Sequence, residues 1–293
     1  METNKVPVSV MIPVRNEKRN IVPCLKALGW ADEIFVVDSQ STDGTIELAE
    51  GLGAKVVQFH FNGDYPKKRN WALENLPFRN EWVLMLDADE VVPPALQEEI
   101  RAAVAHPSAD GYRLHFKYMF LGRPINHCGY ASLHALRLFP HKLGRYERMP
   151  TGAGTEKSIG DMEIHEHLVL NGTMGDLKTS VLHYAYPTID NWVEKHNRYS
   201  NWEAALYDDF IKGTFREGER HISRAKRIKR RVKSLYLRLP CRPLIRFCYH
   251  YFARAGFLDG HRGFIFCVLL SFYDFLSKAK VWELKHPPEA KWE

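Results

Sequence analysis

The stretch WVLMLDADE, from Trp82 to Glu90, joins an apolar run directly to a group of carboxylates. Its first half has the composition of a buried strand, and its second half places Asp87, Asp89 and Glu90 within four positions. Carboxylates this close repel one another unless positive charge lies among them. We therefore expect a buried strand that ends at a site able to hold a cation.

Upstream of this stretch, short β-rich apolar runs alternate with helix-like segments. This alternation predicts βαβ units around a mostly parallel sheet. Ligands of such sheets bind beyond the carboxyl ends of the strands. The predicted strands are 8–14, 34–38, 55–59 and 82–86, and the predicted helices between them are 21–28, 45–52 and 67–76.

Polar clusters follow three of the four predicted strands. They are PVRNE (13–17), DSQSTDGT (38–45) and DADE (87–90). Each cluster alone has an ordinary structural explanation, because Ser, Thr, Asp and Asn often cap helices and form turns. The three together lie at one edge of the predicted sheet, which favours a ligand site there.

These segments resemble glycosyltransferase family 2, the inverting sugar transferases with a GT-A fold. The similarity is strongest over residues 6–92, moderate over 160–206 and 256–284, and thin between 107 and 155. The matching text is VSVMIPVRNE (8–17), IFVVDSQSTDGT (34–45), KKRNWAL (67–73) and WVLMLDADE (82–90).

The resemblance implies roles for individual residues. Asp38 would bind the base of a nucleotide, Asp87 would contact ribose or metal, and Asp89 would be the main protein ligand of Mg²⁺ or Mn²⁺. Glu90 would orient these groups without binding the cation itself. The implied nucleotide-binding set is Pro13, Val14, Arg15, Glu17, Asp38, Arg69, Asp87 and Ala88, with Lys67 or Lys68 as further phosphate contacts.

An inverting transfer needs a base that removes the proton of the acceptor hydroxyl. The segment GDMEIHEHLVLNG (160–172) is the best candidate text, and its His-Glu pair resembles that of family members acting on lipid-linked glycans. Glu166 is the predicted base, with Asp161 and Glu163 as alternatives. The segment also fits a solvated strand edge, and His165 and His167 could instead face a metal.

Two further segments carry possible phosphate or acceptor contacts. His183 fits a core histidine best, with a role at the metal or phosphates as second choice. Lys195, Arg198 and Tyr199 lie in a predicted helix over 191–206 and match a K-x-x-R-Y element of the same subgroup. A solvated helix face explains Lys195 and Arg198 equally well.

Cysteine usage and the first residues bear on the compartment. The five cysteines are scattered without a C-x-x-C spacing, which argues against a disulfide framework and a zinc site. The beginning of the chain lacks a signal-peptide pattern, and no apolar window reaches the length of a spanning helix. We expect a cytoplasmic protein that lies on the inner face of the membrane.

Positive charge is concentrated in one region of the chain. The net charge is +6, but residues 212–246 contain thirteen Lys or Arg and two acids, a local balance of +11. Apolar residues recur there at helical spacing from Ile222 to Leu239, which predicts a cationic amphipathic helix. The aromatic segment 257–285 follows, so an anionic membrane surface is the expected partner, although this segment could simply pack on the catalytic domain.

These observations predict a GT-A α/β domain over 1–210, divided into a nucleotide-sugar half (1–106) and an acceptor half (107–210), followed by a helical membrane-associating extension over 211–293. The predicted activity is metal-dependent transfer of a sugar from a nucleotide-diphosphate donor, with UDP the commonest in the family, to a lipid-linked glycan such as lipopolysaccharide core. A nucleic-acid-binding protein acting through 212–246 is the alternative from another class, and we do not expect nucleic acid as a partner. A sugar nucleotidyltransferase is a further alternative, but the GxGxRxxP loop expected of it is missing from PVRNEKRN.

Overall fold

A computed structural model describes residues 5–62, 66–147, 168–205, 207, 235–236, 239 and 241–287. The described residues form two compact units. Those of the first unit lie within 1–124, 130–147 and 163–185, and those of the second lie within 125–129 and 186–293. The predicted domain boundary near residue 210 stays a prediction, because it falls outside the described residues.

The first unit begins with the predicted alternation of strands and helices. Strands β1 (Val6–Val14), β2 (Ala31–Asp38), β3 (Lys55–Gln58) and β4 (Trp82–Met85) alternate with helices α1 (Lys18–Lys26), α2 (Thr45–Gly51) and α3 (Lys68–Asn75). These strands pair in parallel in the order β3-β2-β1-β4. The βαβ prediction is therefore confirmed to within a few residues at each element.

The remaining described strands of the first unit continue this sheet or form a separate antiparallel pair. Helix α4 (Pro94–Ala105) begins with Pro94 at its first position, where a missing N–H costs nothing. The strands are β5 (Glu90–Val91), β6 (Gly111–Phe120), β7 (Arg123–Pro124), β8 (His134–Pro140), β9 (Gly144–Tyr146), β10 (Leu168–Leu170), β11 (Met174–Asp176) and β12 (Val181–Tyr186). The sheet runs on as β8-β6-β12-β5, with β8 antiparallel to β4, while β9 and β10 pair separately.

The core of the first unit lies on both faces of the parallel strands. Val8, Val10 and Ile12 of β1 join one buried cluster, whereas Met11 joins the other. Alternate side chains of a strand point to opposite faces, so a strand covered on both sides reads as a continuous apolar run. This explains why β1 and β4 lack the polar alternation of a half-exposed strand.

The second unit is helical in its described part. Helix α5 (Ile189–Ala205) corresponds to the predicted helix over 191–206, and α6 (Arg242–Cys248) is followed by a π-helical turn (Tyr249–Ala253) and a 3₁₀ turn (Gly256–Asp259). Helix α7 (Gly260–Lys285) covers most of the predicted segment 257–285. The predicted cationic helix from Ile222 lies almost wholly outside the described residues. Among those described, no helix is both long and apolar enough to cross a bilayer.

A buried aspartate holds α6 to α7. Asp274 is 2% exposed and accepts hydrogen bonds from Arg246, Arg242 and Tyr236, at 2.7 Å and 3.3 Å from the two arginines. A buried carboxylate is stable only when charge and hydrogen-bond partners compensate it. Asp274 therefore ties residues of the basic region to the long C-terminal helix.

Candidate functional site

The loops that follow β1 and β2 are joined by hydrogen bonds. The Asn16 N–H donates to Ser41 Oγ (2.8 Å), the Thr42 N–H donates to Asn16 Oδ1 (2.8 Å), and the Glu17 N–H donates to Thr45 Oγ1 (2.9 Å). Asn16 and Gln40 have φ of 56° and 59°, a region that few residues other than glycine adopt. The polar residues of PVRNE and DSQSTDGT thus hold the two loops together by hydrogen bonds. We call these two segments the interlocked loops.

Asp38 closes β2 inside these loops and is fully buried. Its carboxylate accepts the Ser41 N–H (2.9 Å), the Ser41 hydroxyl and Gln58 Nε2 (3.0 Å). These donors fix the orientation of the carboxylate before any ligand binds. The role of Asp38 in binding a base stays a prediction, and Gln58 is a residue that the sequence did not indicate.

Pro13, Val14, Arg15 and Glu17 lie at the same end of the sheet. Pro13 and Val14 pair with Val37 and Asp38 as the last residues of β1, and Arg15 is exposed beyond them. Lys68 on α3 is buried and donates from Nζ to the carbonyl oxygen of Val14 (3.0 Å). The structure therefore brings the predicted nucleotide-binding residues of the first two strands to one edge.

Asp87 is held by two arginines. Arg69 Nη2 lies 2.6 Å from Asp87 Oδ1, and Arg137 Nη2 lies 2.9 Å from Asp87 Oδ2. The same Arg137 nitrogen contacts Glu90 Oε1 at 3.2 Å. The two guanidinium groups hold the pKa of Asp87 well below its usual range despite its burial. The charge compensation expected from WVLMLDADE is therefore provided partly by the chain itself.

Strand pairing brings the other members of this acidic cluster together. β12 runs antiparallel to β5 with His183 opposite Glu90. His183 Nε2 lies 3.3 Å from Asp89 Oδ1, and its ring packs against Tyr118 at 4.6 Å between centroids. The structure thus places His183 against the carboxylates, and its role at a metal or phosphates stays a prediction.

The protonation of this cluster follows from burial and neighbouring charge. Burial raises the pKa of the Glu90 carboxyl to about 7, and Asp87 adds to this shift while Arg137 opposes it. The neighbouring carboxylates raise the pKa of His183 against the effect of burial. Within the described part of the chain, His183 Nδ1 is a buried nitrogen without a hydrogen-bond partner. The cluster is therefore a polar site at the end of a buried strand, in which carboxyls and cationic side chains shift each other's pKa.

The donor set fits a cation shared with a ligand. No group of three or more His, Cys, Asp or Glu side chains among the described residues is placed to hold a metal alone. Mg²⁺ and Mn²⁺ at phosphate sites need only one or two carboxylates, because phosphates and water supply the other ligands. Both oxygens of Asp87 face guanidinium groups, and Asp89 Oδ1 faces His183. The role of Asp89 as the direct ligand of a cation stays a prediction.

Several predicted residues lie either outside the described residues or in the second unit. Glu166 lies outside the described residues, as do Asp161, Glu163, His165 and His167. Lys195, Arg198 and Tyr199 lie on α5 in the second unit, where Arg198 is exposed and 3.8 Å from Glu194. The roles predicted for all of them stay predictions.

Arg137 is the functional candidate that the sequence analysis missed. It lies on β8, next to Leu138, which pairs with Leu84 of β4. A basic residue within the apolar run ALRLFP (135–140) was the available signal, because charged residues are rarely buried without a partner. Only the antiparallel pairing of β8 with β4 shows that this partner is Asp87.

Comparisons with known proteins show which family the chain resembles. The model of the family described as "Glycosyl transferase family 2" matches residues 9–156. A lipopolysaccharide core biosynthesis glycosyltransferase of Rhizobium meliloti, LpsC, is 26% identical over 294 residues, covering 98% of this chain and 96% of the relative. An uncharacterized glycosyltransferase of Rickettsia typhi is 28% identical, covering 94% of this chain and 87% of the relative.

A solved structure extends the comparison to the fold. A mannosyltransferase of Pyrobaculum calidifontis, solved with GDP-Man and Mn²⁺, superposes with a TM-score of 0.51 at 16% identity. The match covers 96% of this chain and 88% of that protein. Similarity at this level of identity concerns the fold, and it confirms the predicted GT-A architecture.

Proposed function

The chain belongs to glycosyl transferase family 2, and from that premise we propose that it transfers a sugar, with inversion, from a nucleotide-diphosphate donor to a lipid-linked glycan. The proposed donor is a UDP-sugar, and the proposed acceptor class is that of lipopolysaccharide core. The observation that carries the proposal is the acidic cluster after β4, which lies in the same unit as the interlocked loops around Asp38. The similarity to LpsC supports the acceptor class.

In this proposal the first unit binds the donor. Asp38 accepts hydrogen bonds from the base of the nucleotide. The donors Ser41 and Gln58 already hold its carboxylate in one orientation, so little order is lost when the base binds. Arg69 holds Asp87 and adds positive charge near the phosphates. Asp89 would hold Mg²⁺ or Mn²⁺ together with the donor diphosphate, and such a cation would neutralise charge on the leaving nucleotide.

The transfer itself is a single displacement. The acceptor hydroxyl attacks the sugar carbon from the face opposite the diphosphate, and Glu166 removes its proton as it attacks. The lipid-linked acceptor implies that the protein works at the inner face of the cytoplasmic membrane as a peripheral protein. The charge balance of +11 over 212–246 supports attraction to anionic lipid.

Replacing Asp89 by Ala tests the cation site. We expect Asp89→Ala to lower sugar transfer about a thousandfold, because the neutralisation of the leaving group is lost. The same change at Glu98, whose side chain is 71% exposed on α4, should leave transfer unchanged. Full activity of the Asp89 variant, or of the native protein in chelator, would rule the mechanism out.

A thermal-shift panel identifies the donor. UDP-, GDP- and dTDP-sugars are compared with and without Mn²⁺, since a ligand that binds only the native state raises its stability. At a hundredfold excess over Kd the expected gain is about 2.7 kcal/mol. We expect it with UDP-sugar and Mn²⁺ together, and it should be absent in the Asp89 variant. If no nucleotide-sugar raises the unfolding temperature, the proposal is wrong.

A further inference from the structure

Helix α7 has two apolar faces, and only one of them is packed. The face that is buried within the second unit includes Phe266, Leu270 and Val281. A second set of large apolar side chains, which we name the apolar stripe, is 41–64% exposed. The apolar stripe consists of Phe264, Val268, Phe272, Phe275 and Trp282.

The members of the apolar stripe lie on one side of the helix. They are separated by four, four, three and seven residues, which keeps them within about 80° at 100° per residue. The stripe is about 27 Å long at 1.5 Å per residue. Exposed apolar surface of this extent marks an interaction site in a soluble domain.

Polar and charged side chains of α7 point elsewhere. Between Phe264 and Trp282 the charged residues are Asp274, Lys278 and Lys280. Asp274 is buried against Arg242, Lys278 donates to a backbone carbonyl, and Lys280 donates to side chains of α5. The exposed side of the helix is therefore left without charge along this length.

An aromatic surface continues from the first end of the stripe. The rings of Phe247 and Tyr251 lie 6.0 Å and 5.8 Å from that of Phe264. Phe252, in the same π-helical turn as Tyr251, is 61% exposed. Aromatic side chains are favoured at the boundary between lipid and water, where their rings lie at the level of the headgroups.

The charge around this surface distinguishes between possible partners. Residues 241–287 contain seven Lys or Arg and three Asp or Glu, a balance of +4. Two of the three acids, Asp259 and Asp274, have side chains that are 5% and 2% exposed, whereas Arg254 and Arg262 are exposed. A second copy would bring like charges together, while anionic lipid headgroups complement them.

We propose that the apolar stripe of α7 inserts into the surface of an anionic lipid bilayer, with the helix lying in the plane of the interface. Apolar burial into the acyl boundary and attraction of the flanking cations act together in such binding. This inference deepens the proposed function, since a bilayer surface is where a lipid-linked acceptor is presented.

Vesicle sedimentation with the full chain tests the proposal. We expect the protein to bind vesicles of phosphatidylcholine and phosphatidylglycerol, and to bind phosphatidylcholine alone much more weakly. The double change Phe272→Ser and Phe275→Ser should weaken binding about tenfold or more, because two exposed rings no longer enter the lipid. Trp282→Ser, which alters the other end of the stripe, should weaken it in the same direction.

A matched control changes an apolar residue of the same helix on its other side. Leu284 is 63% exposed and lies two residues, about 200°, from Trp282. Leu284→Ser should change vesicle binding by less than about twofold, since its side chain points away from the interface. Equal losses in the stripe and control variants would contradict the orientation that we propose.

Other outcomes overturn the proposal directly. If the wild-type protein does not bind anionic vesicles, the proposal is wrong. If, in that case, the wild type is a dimer and the stripe variant is a monomer, the apolar stripe is a surface for self-association. The increase in unfolding temperature with UDP-sugar and Mn²⁺ tests the proposed function independently of membrane binding. Stripe variants should keep that shift while losing vesicle binding, whereas vesicle binding without any nucleotide shift would refute the transferase mechanism alone.

Discussion

At the scale of single residues, the site depends on how charge is balanced after β4. Asp87 is engaged on both oxygens by Arg69 and Arg137, and Arg137 also contacts Glu90. The shared guanidinium of Arg137 therefore compensates charge on both carboxylates. Asp89 contacts His183 in the same cluster, and it is the residue to which we assign the cation in the proposed function.

Removing Arg137 should destabilise the protein. Arg137→Met leaves the buried carboxylate of Glu90 and the half-buried carboxylate of Asp87 without the guanidinium that they share. Breaking a buried ion pair typically costs about 3–5 kcal/mol. The measurement is urea unfolding at neutral pH in chelator. The matched control is Arg101→Met, since the contact of Arg101 with Glu98 is 3.5 Å long at the surface.

The control pair should contribute less than about 1 kcal/mol. Similar losses in the two variants would mean that Arg137 adds no more than an ordinary surface charge. Glu90→Gln in the Arg137→Met background should recover part of the loss, because it removes the buried carboxylate that contacted Arg137, whereas Asp87 keeps its contact with Arg69.

At the scale of elements, the start of α7 depends on close backbone contact. A Cβ at Gly263 would lie 2.1 Å from the carbonyl oxygen of Gly256 and 2.8 Å from Asp259 Cβ. Asp259 in turn accepts the N–H groups of Asn126 (3.1 Å) and His127 (2.9 Å). The text GFLDGHRGF thus forms a compact turn that anchors the segment 125–129 within the second unit.

Gly263→Ala should disrupt this turn. The backbone atoms that the new methyl group meets cannot move aside cheaply, so we expect a loss of about 3 kcal/mol or more in unfolding free energy. Gly51→Ala is the control, because a Cβ at Gly51 meets no atom within 4 Å. It should be neutral or stabilise by up to about 1 kcal/mol. The measurement is the thermal unfolding of both variants. An unfolding temperature of Gly263→Ala equal to that of the wild type would contradict the close contact between Gly263 and Gly256.

Helix α5 carries a buried histidine that makes its packing sensitive to acid. The ring of His196 stacks on Trp192 at 3.7 Å, and its Nδ1–H donates to the Trp192 carbonyl at 2.8 Å. Burial lowers the pKa of His196 from 6.5 to about 4. The neutral ring therefore stabilises the native state above pH 6.5, and this contribution is lost as the pH falls through 4.

His196→Phe should remove this dependence on pH. Wild-type protein should lose about 3 kcal/mol relative to the variant between pH 6.5 and pH 4, since the shift spans about 2.5 pH units. Urea unfolding at several pH values measures the difference. His106→Phe, at an exposed position after α4, should retain the wild-type pH profile. Parallel profiles of the wild type and the His196 variant would show that folding does not lower the pKa of His196.

At the scale of the whole molecule, the two units divide the work that we propose. The first unit contains Asp38, Asp87 and Asp89, and the second contains the apolar stripe and the buried charges around Asp274. Donor binding should therefore depend on the first unit, and membrane binding should depend on the second.

Asp274→Ala tests this division. It leaves Arg242 buried without its carboxylate, so we expect the second unit to lose about 3–5 kcal/mol of stability. Nucleotide and Mn²⁺ should still bind at low temperature with a Kd within about threefold of the wild type, because no predicted donor contact is altered. Calorimetric unfolding and a nucleotide titration measure the two quantities. A large loss of nucleotide affinity in a folded variant would contradict the division.

The sequence alone determined the βαβ half, because each buried strand reads as an apolar run and each strand end as a polar cluster. It also placed Asp38 and the DADE carboxylates at one sheet edge, since parallel strands share their carboxyl end. Arg137, Gln58 and the position of His183 needed the tertiary structure, because strand pairing over distant segments brings them to the site. The apolar stripe also needed the tertiary structure, because the sequence of an apolar helix does not show which of its faces is packed against the rest of the protein.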